Sequence, residues 1–438
     1  MTISLNYADH RLDVQHTVQL TNTSAELWEQ VIFAVPQAHY PGVFLLQRVE
    51  LEMPQSLSVP RLTQDGTMLS VLLPTPLLPG EPVRISLSYS LVAPQIDWEV
   101  WLPVGNFGAG AQLLQAGDWH PTLVPYVEGL GWQQWSYYPV GDPHIYPIAD
   151  YAVEILAPSA VTVAAPGLRT VQGRSRIYCI ERARSFALLA SPEYRRMEGI
   201  SVGIPINVYY LPGHAAEAQA VMDAAVGSLM AFTDLYGPYP YSDLTIAENA
   251  YRGTMEYSGL ISMSGVAYAT YEEHPLSSLV TLVAHETAHQ WWYGAVGNDQ
   301  VHEPWLDESL AKYSELLFYE RFYPDEAESW WRLHMAGVPV AGTLNRSIYA
   351  FEDTPSYIND IYGLGARFIA DVRQLLGDAA FFEFLKAYHQ AGDGRLVTQA
   401  DFLRVLQQFT DANLDPLLAT YFDEDEPDLE QNAAPARP

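Results

Sequence analysis

Apolar and polar positions alternate along the first 198 residues. In RLDVQHTVQL, Leu12, Val14, Val18 and Leu20 share one face. In PVRISLSYSLVAP, Val83, Ile85, Leu87, Tyr89 and Leu91 do the same. A period of two marks strands with one buried face. YAVEILAP, VTVAAPG, RIYCIE and FALLASP continue the pattern, with Pro and Gly at the breaks. No long helical period interrupts it, so residues 1–198 are expected to form an all-β sandwich or saddle-like domain.

The pattern changes near residue 199. After one more strand, INVYYLP at 206–212, the Ala-rich run HAAEAQAVMDAAVGSLMAFTDLYG has a helical period that stops at Gly237. LTIAE at 244–248 reads as a short strand. From 276 onward helices dominate: LSSLVTLVAHETAHQWWYG, PWLDESLAKYSELLFYERFY, GLGARFIADVRQLLG, DAAFFEFLKAYHQAG and TQADFLRVLQQFT, then a turn and LDPLLATYF. The fold class is therefore α+β and multidomain, with a mainly helical second domain over 199–424. Residues 425–438 are acidic and then Pro/Ala-rich, and are expected to be disordered. No internal repeat is evident.

Composition narrows the function classes. The 438 residues carry 22 basic against 52 acidic side chains, a formal charge of −30. Such a surface repels phosphate backbones and argues against a nucleic-acid partner. The single Cys179 rules out an internal disulfide and a multi-cysteine zinc site. No stretch approaches the roughly 18 apolar residues of a membrane helix. The opening MTISLNYADHRLDVQHTVQL lacks the basic start and apolar run of an export signal. As written, the chain is expected to be cytoplasmic, or cell-envelope or extracellular if an export segment was removed.

The chemistry concentrates in HETAHQWWYGAVGNDQVHEPWLDES, residues 285–309. On a helix over 276–294, His285 and His289 lie one turn apart on one face, so both imidazoles can converge on one ion. Glu286 sits beside the first of them, where its carboxylate can reach a water on that ion. Glu308 follows His289 after 18 intervening residues, in the first turn of the next helix. Two His and one Glu with an open fourth position is the catalytic zinc arrangement, whereas structural sites close the shell with four protein ligands. The remaining helix faces are apolar (Leu279, Val280, Leu282, Val283, Ala284, Trp291, Trp292). Two His and a Glu in such a helix are costly to bury without a partner.

Residues 285–315, HETAHQWWYGAVGNDQVHEPWLDESLAKYSE, resemble the zinc signature of the M1 family of gluzincin metallopeptidases: HExxH, 18 residues, then Glu. The resemblance implies one Zn2+ per chain on His285, His289 and Glu308, with Glu286 as catalytic base. It also implies a thermolysin-like catalytic domain behind an N-terminal β-domain. The family's Gly-x-Met-Glu-Asn motif is similar to Gly253-Thr254-Met255-Glu256-Tyr257, which ends 28 residues before His285. By that likeness Glu256 would bind the substrate's α-amino group, and Gly253 and Met255 would lie along the substrate backbone. Tyr257 stands where the family has Asn. The family's oxyanion-binding tyrosine is similar to Tyr362 in Tyr362-Gly363-Leu364-Gly365-Ala366, with Leu364 in place of the usual Lys and Tyr357 as an alternative.

The resemblance thins elsewhere. The large helical domain that walls the cleft in many M1 enzymes has no counterpart, as in short bacterial-type members. The family's Pro-Cys-Phe-Asp-Glu-Pro segment is replaced by DWHPTLVPYVEGLGWQQWSYYPVGDP at 118–143, which leaves the second amine-binding group unassigned. Asp307 is a candidate to orient a ligand, with His302 and Glu303 as loop neighbours. The expected function is a zinc metallopeptidase acting on peptides, as an aminopeptidase. An endopeptidase, another hydrolase with the same zinc, or a catalytically silent zinc-containing binding protein are the alternatives. Oligomeric state and side-chain preference are not read from the sequence.

Overall fold

The computed structural model describes residues 1–53, 56–58, 61–96 and 107–423; the acidic and Pro/Ala-rich tail lies outside them. The chain divides into two compact units. One comprises Met1–Tyr137, Ala149–Tyr194 and Asn249–Arg252, the other Tyr138–Ile148, Arg195–Glu248 and Gly253–Pro438. The first is β-rich and the second mainly helical.

The first unit is built on an eight-stranded sheet. Its spatial order is Leu168–Gln172, Ser175–Ala183, Ala149–Leu156, Thr2–Asn6, Arg11–Thr21, Pro82–Val92, Phe44–Met53, Ser56–Ser58. Two four-stranded sheets and a two-stranded ribbon (Tyr126–Val127 with Gly131–Trp132) join it among the described residues. The central pair runs antiparallel, with Leu12 opposite Leu91, Val14 opposite Tyr89 and Val18 opposite Ile85, so the alternating apolar positions share one face. That face also holds His16, opposite Leu87, a residue the apolar pattern skips.

His16 and His120 are both buried, with rings 5.6 Å apart. Burial holds His16 well below its ordinary range and His120 down at about 4. Both are therefore neutral in the fold, while the unfolded chain takes up protons below about 6.5. Their contribution to stability is complete above that pH and lost as pH falls towards 4. For His120 alone the loss amounts to roughly 3 kcal/mol. A His120→Gln variant, which cannot charge, should show a flatter melting temperature between pH 7 and 4.5 than wild type, read by circular dichroism.

The second unit opens on a five-stranded sheet ordered Arg195–Ser201, Ile204–Tyr210, Leu244–Glu248, Leu260–Met263, Met255–Tyr257. The middle three strands are parallel, and LTIAE is buried along its whole length, as a strand covered on both faces must be. Helices follow: α1 (Ala215–Tyr236) as the crossover between parallel strands, a short α2 (Gly265–Ala269), α3 (Ser278–Ala288), α4 (Trp305–Phe322) and α5 (Pro324–Met335). Then come α6 (Thr354–Tyr357), a π-helical turn (Ile358–Leu364), α7 (Gly365–Leu376), α8 (Asp378–Gly392), α9 (Gln399–Leu406) and α10 (Asp415–Tyr421).

Two helices depart from expectation. α3 stops at Ala288 with His289 as its C-cap, six residues short of 294. The chain turns there because Gly294 N–H reaches back to the His289 carbonyl at 2.8 Å. A side chain at Gly294 would meet the Gln290 carbonyl oxygen at 2.6 Å, so only glycine closes this turn. Helix α5 lies in a stretch that the periodic runs pass over, where Pro324 takes the first turn and Asp325 and Glu326 follow it. No helix among the described residues is long and apolar enough to cross a membrane.

Candidate metal centre

The candidate metal ligands come from α3 and α4. Ser277 caps α3 by accepting from Val280 N–H, and Leu279, Val283 and Ala284 bury its apolar side. His285 and His289 then point the same way one turn apart. Glu308 enters from the first turn of α4, and all three are at most 5% exposed. His285 Nε2 lies 3.1 Å from His289 Nε2, and Glu308 Oε2 lies 3.2 and 3.3 Å from the two nitrogens. Ligands at roughly 2.05 Å from a tetrahedral centre stand about 3.3 Å apart, so this triangle has the size of one face of a zinc shell.

The outer ring nitrogens orient the two imidazoles. His285 Nδ1 lies 2.9 Å from Glu315 Oε1, and His289 Nδ1 lies 2.9 Å from the Trp292 carbonyl oxygen. Neither of these acceptors can donate, so each Nδ1 carries its proton and each ring turns Nε2 inward, where loss of its proton leaves a lone pair for a metal. Two nitrogen lone pairs and a carboxylate oxygen in mutual contact repel one another unless a cation lies between them. Burial alone would push both imidazoles down, yet Glu308 and Glu315 hold His285 up at about 9, and Glu256 and Glu308 hold His289 well above its ordinary range. Burial raises Glu308, but the two histidines more than offset it and hold the carboxylate low. This field favours positive charge at the triangle, and the donor set fits zinc.

Around the triangle lie more carboxylates than its charge requires. Glu286 Oε1 accepts from Thr254 Oγ1 at 2.5 Å, while the buried Oε2 has no partner among the described residues. Burial first, and then the charge of Glu256, lift Glu286 to about 7. That is the range a proton shuttle needs at neutral pH. Glu256 sits on the edge strand Met255–Tyr257, opposite Ile261. Gln290, next to His289, fastens this strand by accepting from Gly259 N–H at 2.8 Å and donating to the Tyr257 carbonyl at 3.3 Å. Met255 is buried beside Glu256, and Gly253 has open space where a side chain would project.

Gln300 donates to Glu256 Oε1 at 3.3 Å and to Asp307 Oδ2 at 2.6 Å, and Asn298 donates to Asp307 Oδ1 at 2.9 Å. Asp307 is thus deeply buried and ties α4 to the Glu256 strand, rather than being solvated or bonded to a ligand ring. His302 pairs with Asp299 at 2.7 Å and Glu303 accepts from Gln399 N–H at 2.8 Å, outside the triangle.

Tyr362 lies in the π-helical turn. Its hydroxyl donates to Glu308 Oε1 at 2.5 Å, and its ring stacks on His285 at 5.6 Å. Burial and then the Glu308 charge raise its pKa well above 10, so it stays a neutral donor. Tyr357, the alternative, packs edge-on to Tyr362 at 5.8 Å. Sequence reasoning missed Asp142, whose carboxyl is raised by burial and then by the charges of Glu256 and Glu308. Its segment is tied in where Gln300 N–H reaches the His144 carbonyl at 3.3 Å. The acid in VGDP was the available signal, but without the fold nothing separates it from a turn residue.

Residues 221–421 match the family model described as the peptidase family M1 domain. This part of the chain is an M1 peptidase domain. All three metal-facing residues, Glu286, Glu256 and Tyr362 fall inside it. The chain is similar to aminopeptidase N of Lactobacillus delbrueckii subsp. lactis, 26% identical over 274 residues that cover 56% of this chain and 32% of that protein. It is also similar to human endoplasmic reticulum aminopeptidase 1, 30% identical over 130 residues covering 28% of this chain and 14% of the other. The chain thus spans a third or less of these curated relatives. In fold it resembles an M1 zinc metallopeptidase from Deinococcus radiodurans, with a TM-score of 0.69 at 20% identity over 95% of this chain and 90% of that one.

Proposed function

We propose that the chain is a zinc-dependent aminopeptidase holding one zinc ion per chain on His285, His289 and Glu308. One observation carries the exopeptidase reading: buried Glu256 brings a carboxylate oxygen within 4.8 Å of a ring nitrogen of His289 and an oxygen of Asp307. A substrate ammonium would satisfy this excess negative charge, and an ammonium so close to the metal belongs to the first residue of a peptide. Asp142 adds to the same negative field. The Deinococcus radiodurans metallopeptidase of similar fold has a mutant form solved with a Tyr-Ser-Ala substrate, and this supports a peptide as the substrate class here.

The bound zinc would act as a Lewis acid and bring the pKa of its water towards neutrality. The chain's own residues do the rest. Glu256 grips the α-ammonium and sets the first peptide bond against the triangle. Glu286, poised near 7 with Oε2 free of partners among the described residues, takes the proton of the attacking water and passes it to the departing amine. Tyr362 donates to the oxygen on which negative charge develops.

Aminoacyl fluorogenic substrates, assayed beside the same peptides with acetylated N-termini, test this. Wild type should cleave only the free-amine set. Glu256→Ala should lose roughly 2–4 kcal/mol of transition-state binding, a 30- to 1000-fold fall in kcat/KM. Asp142→Asn should raise KM by a smaller factor, with kcat kept. Equal turnover of blocked and free peptides would instead assign an endopeptidase.

A further inference from the structure

The two imidazoles of the triangle are backed unequally: His289 by the neutral carbonyl of Trp292, His285 by the carboxylate of Glu315. Glu315 follows Glu308 by seven residues, two turns along the same face of α4, so one helix supplies both a metal-facing oxygen and this support. The carboxylate is 3% exposed and accepts four hydrogen bonds. Oε1 takes His285 Nδ1 at 2.9 Å and Lys312 Nζ at 3.1 Å; Oε2 takes Lys312 Nζ at 2.8 Å and Trp330 Nε1 at 3.0 Å. Lys312 lies one turn earlier on α4, but Trp330 comes from α5.

Helix α5 closes the far side of this cluster. The Trp330 indole is fully buried, and the Lys312 ammonium stands 5.3 Å from its ring centroid. One turn further, His334 Nδ1 accepts from Lys312 Nζ at 3.1 Å, with its ring 4.8 Å from that of Trp330. Three donors from three elements, making four hydrogen bonds, leave the Glu315 carboxylate no freedom to rotate away from His285. A carboxylate so fixed holds its imidazole in one tautomer and one orientation and makes it a better metal ligand than a carbonyl does.

We propose that α5 controls how tightly the chain retains its metal, with its Trp330, and Lys312 of α4 packed against it, as positioning residues that act through Glu315. This rests on the zinc reading of the triangle. It adds that a helix contributing no ligand sets the affinity.

The test is a zinc titration of the metal-stripped chain against a chromogenic chelator, for wild type, Glu315→Gln, Trp330→Phe and the double variant. Glu315→Gln should weaken zinc binding by about 10- to 100-fold. Trp330→Phe, which removes one donor and keeps the ring, should weaken it by a smaller factor of about 3 to 10. In the Glu315→Gln background Trp330→Phe should have no further effect, because its action passes through the carboxylate. Glu315→Gln binding zinc like wild type would overturn the proposal, as would Trp330→Phe giving the same factor with and without Glu315.

Melting temperatures of the metal-free proteins separate a folding defect, which lowers them without changing the affinity of the folded chain. If Glu315→Gln does not fold, the visible spectrum of cobalt-loaded Glu315→Asp serves instead: a band shifted from wild type supports the clamp and an unchanged band overturns it. A wild-type chain that takes up no zinc overturns the metal centre itself, and this role of α5 with it.

Discussion

Replacing Glu286 by Gln is expected to leave zinc bound and to cut aminopeptidase turnover by roughly 10²- to 10⁴-fold. The substitution keeps the shape of the side chain, and Thr254 can still donate to the remaining carbonyl oxygen at the Oε1 position. Glu286 is not part of the metal triangle, so metal content measured by atomic absorption should match wild type. What disappears is an oxygen able to take up a proton near neutral pH, the property that burial and the neighbouring Glu256 confer on this carboxyl. Because the loss lies in proton transfer, kcat should fall with little change in KM. Turnover within a few-fold of wild type, with zinc retained, would remove Glu286 from the role of base.

The second large effect comes from a residue without chemistry. Gly365 opens α7 directly after the turn that carries Tyr362, and it packs against Ser309, the residue after Glu308. A methyl group on Gly365 would lie 1.8 Å from Ser309 Oγ and 2.6 Å from its Cβ. The same Ser309 hydroxyl donates to the Ile361 carbonyl at 2.9 Å, one residue before Tyr362. Gly365→Ala must therefore push α7 and its turn away from α4 at the point that sets Tyr362 against Glu308. The expected outcome is about 1–3 kcal/mol of lost stability. Catalysis should fall further, by up to about 100-fold, as the tyrosine donor moves out of place. Adding Ser309→Gly, which leaves only its Cα at 3.4 Å, should restore much of both. A Gly365→Ala protein with the melting temperature and kcat of wild type would show that the close approach is not needed.

How much of this was legible beforehand follows from the range of the interactions involved. Local periodicity placed the β-rich and helical parts, because a strand's period of two and a helix's 3.6 are written in neighbouring residues. It passed over α5, whose apolar side is small and whose start depends on Pro324 and the acids behind it. It extended α3 beyond His289, because the apolar residues Trp291 and Trp292 continue the pattern past a turn closed by Gly294. His16 shows the reverse case, a polar residue in the middle of a buried strand face.

The sequence alone carried the proposed metal site in outline. Two histidines four apart are on one helix face wherever that helix goes, and HExxH with its distant Glu carries the M1 likeness by spacing alone. The tertiary structure decided everything that depends on residues far apart in the chain. It set the 3.1–3.3 Å triangle and the different partners behind His285 and His289. It also linked Glu256 to Asp307 through Gln300 and brought Asp142 into the same field. Coulombic and hydrogen-bond energies depend on distances of a few ångströms, and sequence separation does not encode them. For this chain the residues of the proposed reaction are written locally, while the triangle and the placement of the charges around it exist only once α3, α4, α5 and the edge strand are packed together.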